Sequence, residues 1–147
     1  MNSSGPRIAI LRSEFNEAVT GGLLWGAREV FKERGLEPAL EMTAPGAFEL
    51  PLLAKMIARS GKVDAVICLG CVIKGDTAHF EFISLGASLG IQWASLETGI
   101  PIGFGVITTY TDEQAEVRSA HDAHNKGREA ALAVLSSLDR IEKIRRL

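Results

Sequence analysis

The sequence predicts a three-layer α/β sandwich: four parallel strands with helices on both faces of the sheet. Three observations carry that expectation. Short β-branched runs alternate with amphipathic segments along the chain, the pattern of strands joined by right-handed helical crossovers. The run VDAVICLGCVI, Val63 to Ile73, is apolar almost throughout, as a central parallel strand buried on both faces must be. Gly35, Gly61 and Gly99 fall where three helical patterns stop, the position that favours glycine after a helix.

In order, RIAIL (Arg7 to Leu11) reads as the first strand. SEFN follows, and Asn16 is expected to cap a helix that aligns Val19, Leu23, Ala27, Val30 and Phe31 on one side. LEPALEMT, Leu36 to Thr43, reads as the second strand, with Pro38 confined to its beginning because proline donates no ladder hydrogen bond. APGAFELP then leads into a helix containing Leu53, Ala54 and Ile57. After the third strand, in which Gly70 is a point of bending, the longest helix is expected from about Thr77 to Thr98. IPIGFGVITT, Ile100 to Thr109, is the fourth strand, and Thr111 with Gln114 forms a T-x-x-Q capping box for a short helix. A last helix runs from about Asn125. The 147 residues suit one domain with an adequate core, and no internal repeat competes with that reading.

Composition narrows the function. A hydrophobic share of 46% and a net charge of −2 exclude a disordered tail and supply no basic field for nucleic acid, so a small molecule is the favoured partner. The start, MNSSGPRIAIL, has one basic residue before a short apolar run, and no apolar run approaches the roughly 20 residues that span a bilayer. A soluble, unexported, cytoplasmic protein without a membrane partner is expected. Cys68 and Cys71 form a C-x-x-C string, but three residues of extended strand span about 10 Å, beyond the roughly 7 Å limit for a disulfide. Two reduced core cysteines are favoured over a redox pair.

Ligands of parallel sheets sit beyond the carboxyl ends of the strands. Here those ends are SEFN, TAPGAF, VIKGDTAH and FGVITT. Neither G-x-G-x-x-G nor a Walker A string is present. Lys74-Gly75-Asp76-Thr77 offers another anion site: Gly75 permits close approach, and the amides of Asp76 and Thr77 are expected to open the long helix. An ordinary helix start accounts for those residues equally well. His79 falls in the first helical turn, whose positive end favours the neutral imidazole that accepts a proton; a merely packed histidine is the alternative.

Phe15, Phe48 and Phe104 lie at or just after predicted strand ends, where an aromatic face can cover a planar heterocycle, although core packing is favoured for each alone. Arg118 can pair with a phosphate through two donors, or be a solvated helix arginine, and Lys126 in HNKGRE carries the same ambiguity. His121, Asp122 and His124 suggest a metal less readily than a solvated connection.

Taken together, these segments resemble the 6,7-dimethyl-8-ribityllumazine synthases of riboflavin biosynthesis. The carriers are FN at Phe15-Asn16, PGAFELP at Pro45 to Pro51, LGCVIKGDTAHFEF at Leu69 to Phe82, FGVITT with EQA and Arg118, and NKG at Asn125 to Gly127. The resemblance implies a four-stranded parallel, flavodoxin-like sheet between helix layers. It also implies condensation of 5-amino-6-(D-ribitylamino)uracil with 3,4-dihydroxy-2-butanone 4-phosphate, releasing phosphate and water. No electrons enter or leave, so neither a cofactor nor a metal is required.

By the same resemblance Phe15 stacks on the pyrimidine, Ala47, Phe48 and Glu49 hold the ribityl side, and the backbone of Cys71, Val72 and Ile73 reads the ring edge. Asp76 and Thr77 hold phosphate through their amides, Arg118 clamps it from a neighbouring subunit, Phe104 closes the pocket across that interface, and Lys126 belongs to the substrate-binding set. His79 is the proton-transfer residue. A homopentamer is the implied minimum, its sites lying between subunits. Glu14 stands where arginine is common before FN, Lys74 stands where arginine is frequent, and SAHDAHNKG lacks the glycine-rich connection of many cage-forming members. A non-catalytic lumazine or flavin carrier is the second reading, and a flavodoxin-like FMN binder the third.

Overall fold

Apolar alternation and helix-stopping glycines build the architecture in the computed structural model, which describes residues 5–147. The strands are β1 (Ile8–Ser13), β2 (Leu40–Ala44), β3 (Ala65–Ile73) and β4 (Ile102–Thr109). The helices are α1 (Glu17–Glu33), α2 (Leu50–Arg59), α3 (His79–Thr98), α4 (Asp112–Ser119) and α5 (Lys126–Arg145), and a 3-10 turn at Ala47–Glu49 precedes α2. All strand pairs are parallel, in the order β2-β1-β3-β4. The predicted four-stranded sheet between helix layers is therefore the observed one.

Alternate residues of the inner strands feed two cores. Ile8, Ile10, Ile67 and Leu69 pack with Leu23, Val30, Phe31 and Val134 of α1 and α5. Ala9, Leu11, Val66 and Cys68 pack with Leu50, Ala54, Ile57 and Ile91 of α2 and α3. Each fully buried Leu, Ile or Val contributes about 1.5–3 kcal/mol relative to exposure, so the sheet's two faces dominate the stabilising side. Cys68 and Cys71 are free and buried, as expected of core cysteines.

The first strand runs to Ser13 rather than Leu11 and the third begins at Ala65 rather than Val63, and three further boundaries differ from the sequence reading for a local reason. The second strand begins at Leu40 rather than Leu36. Gly35 adopts φ 66, and the Leu36 N–H donates to Phe31 O at 2.8 Å, so Leu36 belongs to the closure of α1. The fourth strand begins at Ile102, after Pro101. Helix α3 begins at His79 rather than Thr77, because Thr77 Oγ1 accepts the His79 N–H at 3.3 Å in a turn that precedes the helix. The capping box is as read: Thr111 Oγ1 accepts from Gln114 N–H at 3.1 Å.

Helix α3 leaves an apolar stripe in solvent. Phe82, Leu85, Leu89, Trp93 and Leu96 are each more than half exposed and recur at steps of three, four, four and three residues, one face of a helix. Leu52 and Met56 of α2 are similarly exposed. No helix among the described residues is long and apolar enough to cross a membrane.

Burial pushes the Cys68 thiol up to about 12 and the Cys71 thiol up to about 11, the latter helped by the negative charge of Asp112. Both groups are thiols at neutral pH and should resist alkylation until the protein unfolds, as a labelling series in rising denaturant would show. Their stabilising effect is fully present below the unfolded thiol range, near pH 8.5. It is lost as pH rises through the folded values, so the unfolding free energy should fall through that alkaline window.

Candidate active site

The site starts from unequal pairing of β3. Strand β1 accompanies β3 only as far as Arg12 opposite Leu69, whereas β4 continues to Thr109 opposite Ile73. The β1-facing edge of β3 is thus open from Cys71 onward. Asn16 fills part of the gap: its Nδ2 donates to Cys71 O at 3.0 Å. Alternation along the strand turns the N–H and C=O of Ile73 to the same open edge, where a planar ring with donors and acceptors can continue the ladder.

Asn16 therefore corrects the expectation that it caps α1. It occupies the residue before the helix, but with φ 58 and ψ 54 and no capping hydrogen bond from its side chain. Among non-glycine residues asparagine tolerates that left-handed conformation best. The tether to β3 fixes the loop carrying Phe15, whose ring is 71% exposed at the rim. Glu14 sits beside it, accepting a hydrogen bond from Thr43 Oγ1 at 2.9 Å.

PGAFELP is seated on α3 by missing side chains. A Cβ at Gly86 would lie 3.0 Å from the Phe48 ring, and one at Gly90 would lie 2.7 Å from Pro51. Phe48 is 59% exposed above this groove, and Ala47 is buried in the α2 and α3 core. Glu49 is exposed and folds back over Gly46, where an added Cβ would stand 3.2 Å from Oε1. His79 and Gly86 are seven residues apart on one face of α3, so the Phe48 ring sits about 10 Å along the helix from the histidine.

Beyond β3 the Lys74 N–H still donates to Thr109 O, at 2.9 Å. Lys74, Gly75, Asp76, Thr77, Ala78 and His79 are then exposed. No acceptor among the described residues takes the backbone N–H groups of Asp76 or Thr77. Two such amides, one residue before the histidine that opens α3, are groups of the kind that can receive an anion. Lys74 Nζ lies 5.9 Å from the Tyr110 ring centroid.

Phe104, Arg118 and Lys126 are elsewhere. Phe104 is not at a strand end: it lies in mid-strand opposite Cys68, 48% exposed on the sheet edge. It lines a groove of about 450 Å³ with Thr108, Arg118, Lys126 and Glu129. None of Phe15, Phe48, Asp76, Thr77 or His79 lines that groove. Within the groove Arg118 donates to Gln114 O at 3.1 Å, and Lys126 pairs with Glu129 at 3.0 Å. The candidate residues thus form two separate surfaces on one chain.

A larger groove of about 1310 Å³ opens at the opposite end of the sheet, around Arg7, Asp64 and Gly99. It lies at the amino ends of β1 and β3 and has no part in this site. The sequence triplet His121, Asp122 and His124 gathers no metal-type cluster; no group of three or more His, Cys, Asp or Glu residues among the described residues is arranged to hold an ion. His121 instead stacks on Trp25, and Asp122 Oδ1 accepts the His124 N–H at 2.8 Å.

An all-parallel sheet in this order, with helices on both faces, defines a flavodoxin-like α/β protein, the class whose ligands sit at the carboxyl rim. More particularly, the chain belongs to the 6,7-dimethyl-8-ribityllumazine synthase family, whose profile matches residues 5–142. It is 58% identical to 6,7-dimethyl-8-ribityllumazine synthase 1 of Caulobacter vibrioides over 142 residues, 95% of this chain and 93% of that one. It is 45% identical to the 6,7-dimethyl-8-ribityllumazine synthase of Thermus thermophilus over 99% of this chain and 94% of that one. The enzyme of that name from Nitratidesulfovibrio vulgaris is 43% identical over 98% and 94%.

Asn16→Ala removes both the tether and a residue tolerant of positive φ, whereas Asn16→Gly removes the tether alone. The left-handed conformation costs other residues about 1–2 kcal/mol. Thermal unfolding should show Asn16→Ala to be the less stable, and both variants should bind a pyrimidine substrate analogue more weakly by titration calorimetry. Unaltered binding in both would detach Asn16 from the site.

Proposed function

We propose that this chain joins 5-amino-6-(D-ribitylamino)uracil to 3,4-dihydroxy-2-butanone 4-phosphate at a site completed by a neighbouring copy, giving 6,7-dimethyl-8-ribityllumazine, phosphate and water. The juxtaposition carrying this reading is the pair of free amides, Asp76 and Thr77, one residue ahead of His79. Phosphate is the leaving group of the reaction, and the proton transfers accompany its departure.

The pyrimidine stacks on Phe15 and extends the open edge of β3 between Cys71 and Ile73, while Ala47, Phe48 and Glu49 hold the ribityl chain. Val72, which the resemblance adds to this set, lies opposite Thr108 with its own N–H and C=O turned to β4, so the ring contacts are left to Cys71 and Ile73. The amine attacks the ketone and loses a first water to form an imine, phosphate is eliminated, and the ribitylamino nitrogen closes the second ring with loss of a second water. Holding two substrates in this order contributes through orientation, and His79 adds about 10²-fold where proton transfer limits the rate. The chemistry is redox-neutral and needs no electron carrier, which disfavours the FMN reading. Relatives named as synthases disfavour the non-catalytic carrier.

The two separate surfaces support a shared site. Phe104, Arg118 and Lys126 from one subunit face Phe15, Phe48 and His79 of the next, with Arg118 on the phosphate. Repeating one head-to-tail contact closes a ring. The apolar stripe of α3 and the exposed Leu52 and Met56 supply contact surface for such a ring, and five subunits is the number that the resemblance implies. The cytoplasm, where thiols stay reduced, suits Cys68 and Cys71.

Mixing both substrates with the protein should generate the fluorescent lumazine; absence of product from a correctly assembled protein would overturn the proposal. Arg118→Ala should weaken the butanone phosphate about ten- to a hundred-fold and the pyrimidine far less, since a charge-assisted bond contributes about 1.5–3 kcal/mol. Arg118→Ala and His79→Ala proteins, each impaired, should regain activity when dissociated and reassembled together. Demonstrably mixed rings without recovery would show that each chain completes its own site.

A further inference from the structure

Helix α3 carries two interior glycines, Gly86 and Gly90. After proline, glycine is the residue least suited to a helix interior, because it loses the most backbone freedom on folding and packs no side chain. Glycine retained there calls for a reason. Gly90 gives way to Pro51, the second residue of α2. Gly86 gives way to the ring of Phe48 itself: a Cβ there would lie 3.0 Å from Cε1 and 3.4 Å from Cδ1, inside the separation of about 3.5–4.0 Å at which carbon atoms pack best. Two adjacent atoms on one edge of the ring therefore rest against the helix, while the residue as a whole is 59% exposed.

The backbone of Phe48 has little room to adjust. Ala47 before it is buried and Leu50 after it is fully buried, both in the core that α2 and α3 share. Between them the Glu49 N–H donates to Gly46 O at 3.2 Å and closes the 3-10 turn. The freedom left to Phe48 is rotation about its own side-chain bonds, and Gly86 is the surface that stops it. A methyl group added at position 86 is accommodated by turning the ring outward, since Ala47, Leu50 and Pro51 hold the turn in place.

We propose that Gly86 is a positioning residue for the polyol half of the site: by omitting a side chain it sets how deep the Phe48 ring sits over α3, and so how much of the ribityl chain that ring covers. The inference rests on the reading of Phe48 as a ribityl contact. Its physical basis is preorganisation. A hydroxyl group gains little by exchanging water for protein partners, so apolar cover over the carbon chain contributes to selecting the ribityl form. A ring already stopped at its working depth loses less freedom when the ligand arrives. Helix stability is then given up at one position in favour of the site, a trade that proteins commonly make.

Calorimetric titration of the assembled protein with two unreactive pyrimidines separates the chain from the ring. One is 6-(D-ribitylamino)uracil, which lacks the attacking amine, and the other is 6-(methylamino)uracil, which lacks the polyol as well. Gly86→Ala should weaken the ribityl ligand roughly four- to fifteen-fold, the equivalent of one or two lost methylene contacts, and leave the methyl ligand unaltered. In a Phe48→Ala background Gly86→Ala should have no further effect on either ligand. The melting temperature should hold, because alanine suits a helix interior better than glycine. Unaltered binding of the ribityl ligand, equal weakening of both ligands with or without a lowered melting temperature, or a loss that persists without the Phe48 ring would overturn the positioning role. A wild type with no preference for the ribityl ligand overturns it too, together with the reading of Phe48. A wild type that prefers the ribityl ligand but forms no lumazine from the two substrates overturns the proposed reaction alone.

Discussion

Strand β3 is buried along all but its last residue, and its two neighbours leave it at different points. That inequality organises the rim. A strand that loses one partner must satisfy its edge groups by other means, because an unpaired buried backbone group costs about 1–3 kcal/mol. Asn16 takes the Cys71 carbonyl, which places Phe15, and the edge at Ile73 is left without a β1 partner. Pairing with β4 meanwhile carries the chain to Lys74, so that the Gly75 turn and its free amides emerge at the end of the sheet.

The helices opposite serve as fitted supports. On α3, Gly86 and Gly90 receive Phe48 and Pro51, so the loop after β2 lies directly on the helix that begins with His79. On α1, Gly22 and Gly26 receive the connection between α4 and α5. Both contacts replace side-chain volume with backbone proximity, which fixes loops that otherwise carry few apolar anchors. The aromatic residues they position nonetheless stay in solvent: Phe15, Phe48 and Phe104 are each about half exposed or more in one chain. In the proposed head-to-tail assembly these exposed rings would gain a partner, which would link assembly to the completion of the site.

Much of this was legible in the residues. The buried run at Val63 to Ile73, the glycine stops and the T-x-x-Q box follow local rules, and the elements they mark appear close to the expected places. Leu36 and Thr77 were less legible because their backbone groups have two possible uses, in an element or in its closure, and the energetic difference between them is small. Asn16 was read as a cap since asparagine before a helix usually is one. Its actual acceptor, Cys71 O, is 55 residues away, and no local pattern reports a bond of that separation. Phe104 looked like a strand-end residue because periodicity marks a strand without saying where its partners stop.

Sequence alone determined the fold class, the family and the residue types available for chemistry, since these depend on periodicity, turn chemistry and ordered motifs along the chain. Tertiary structure decided which of those residues meet. Pairing register left the β3 edge open at Cys71, and glycine contacts seated Phe48 against α3 and Asn125 against α1. The same packing put Arg118 and Phe104 on a surface apart from His79. Distances between residues remote in sequence arise from the packing of whole elements, a property that no single segment contains.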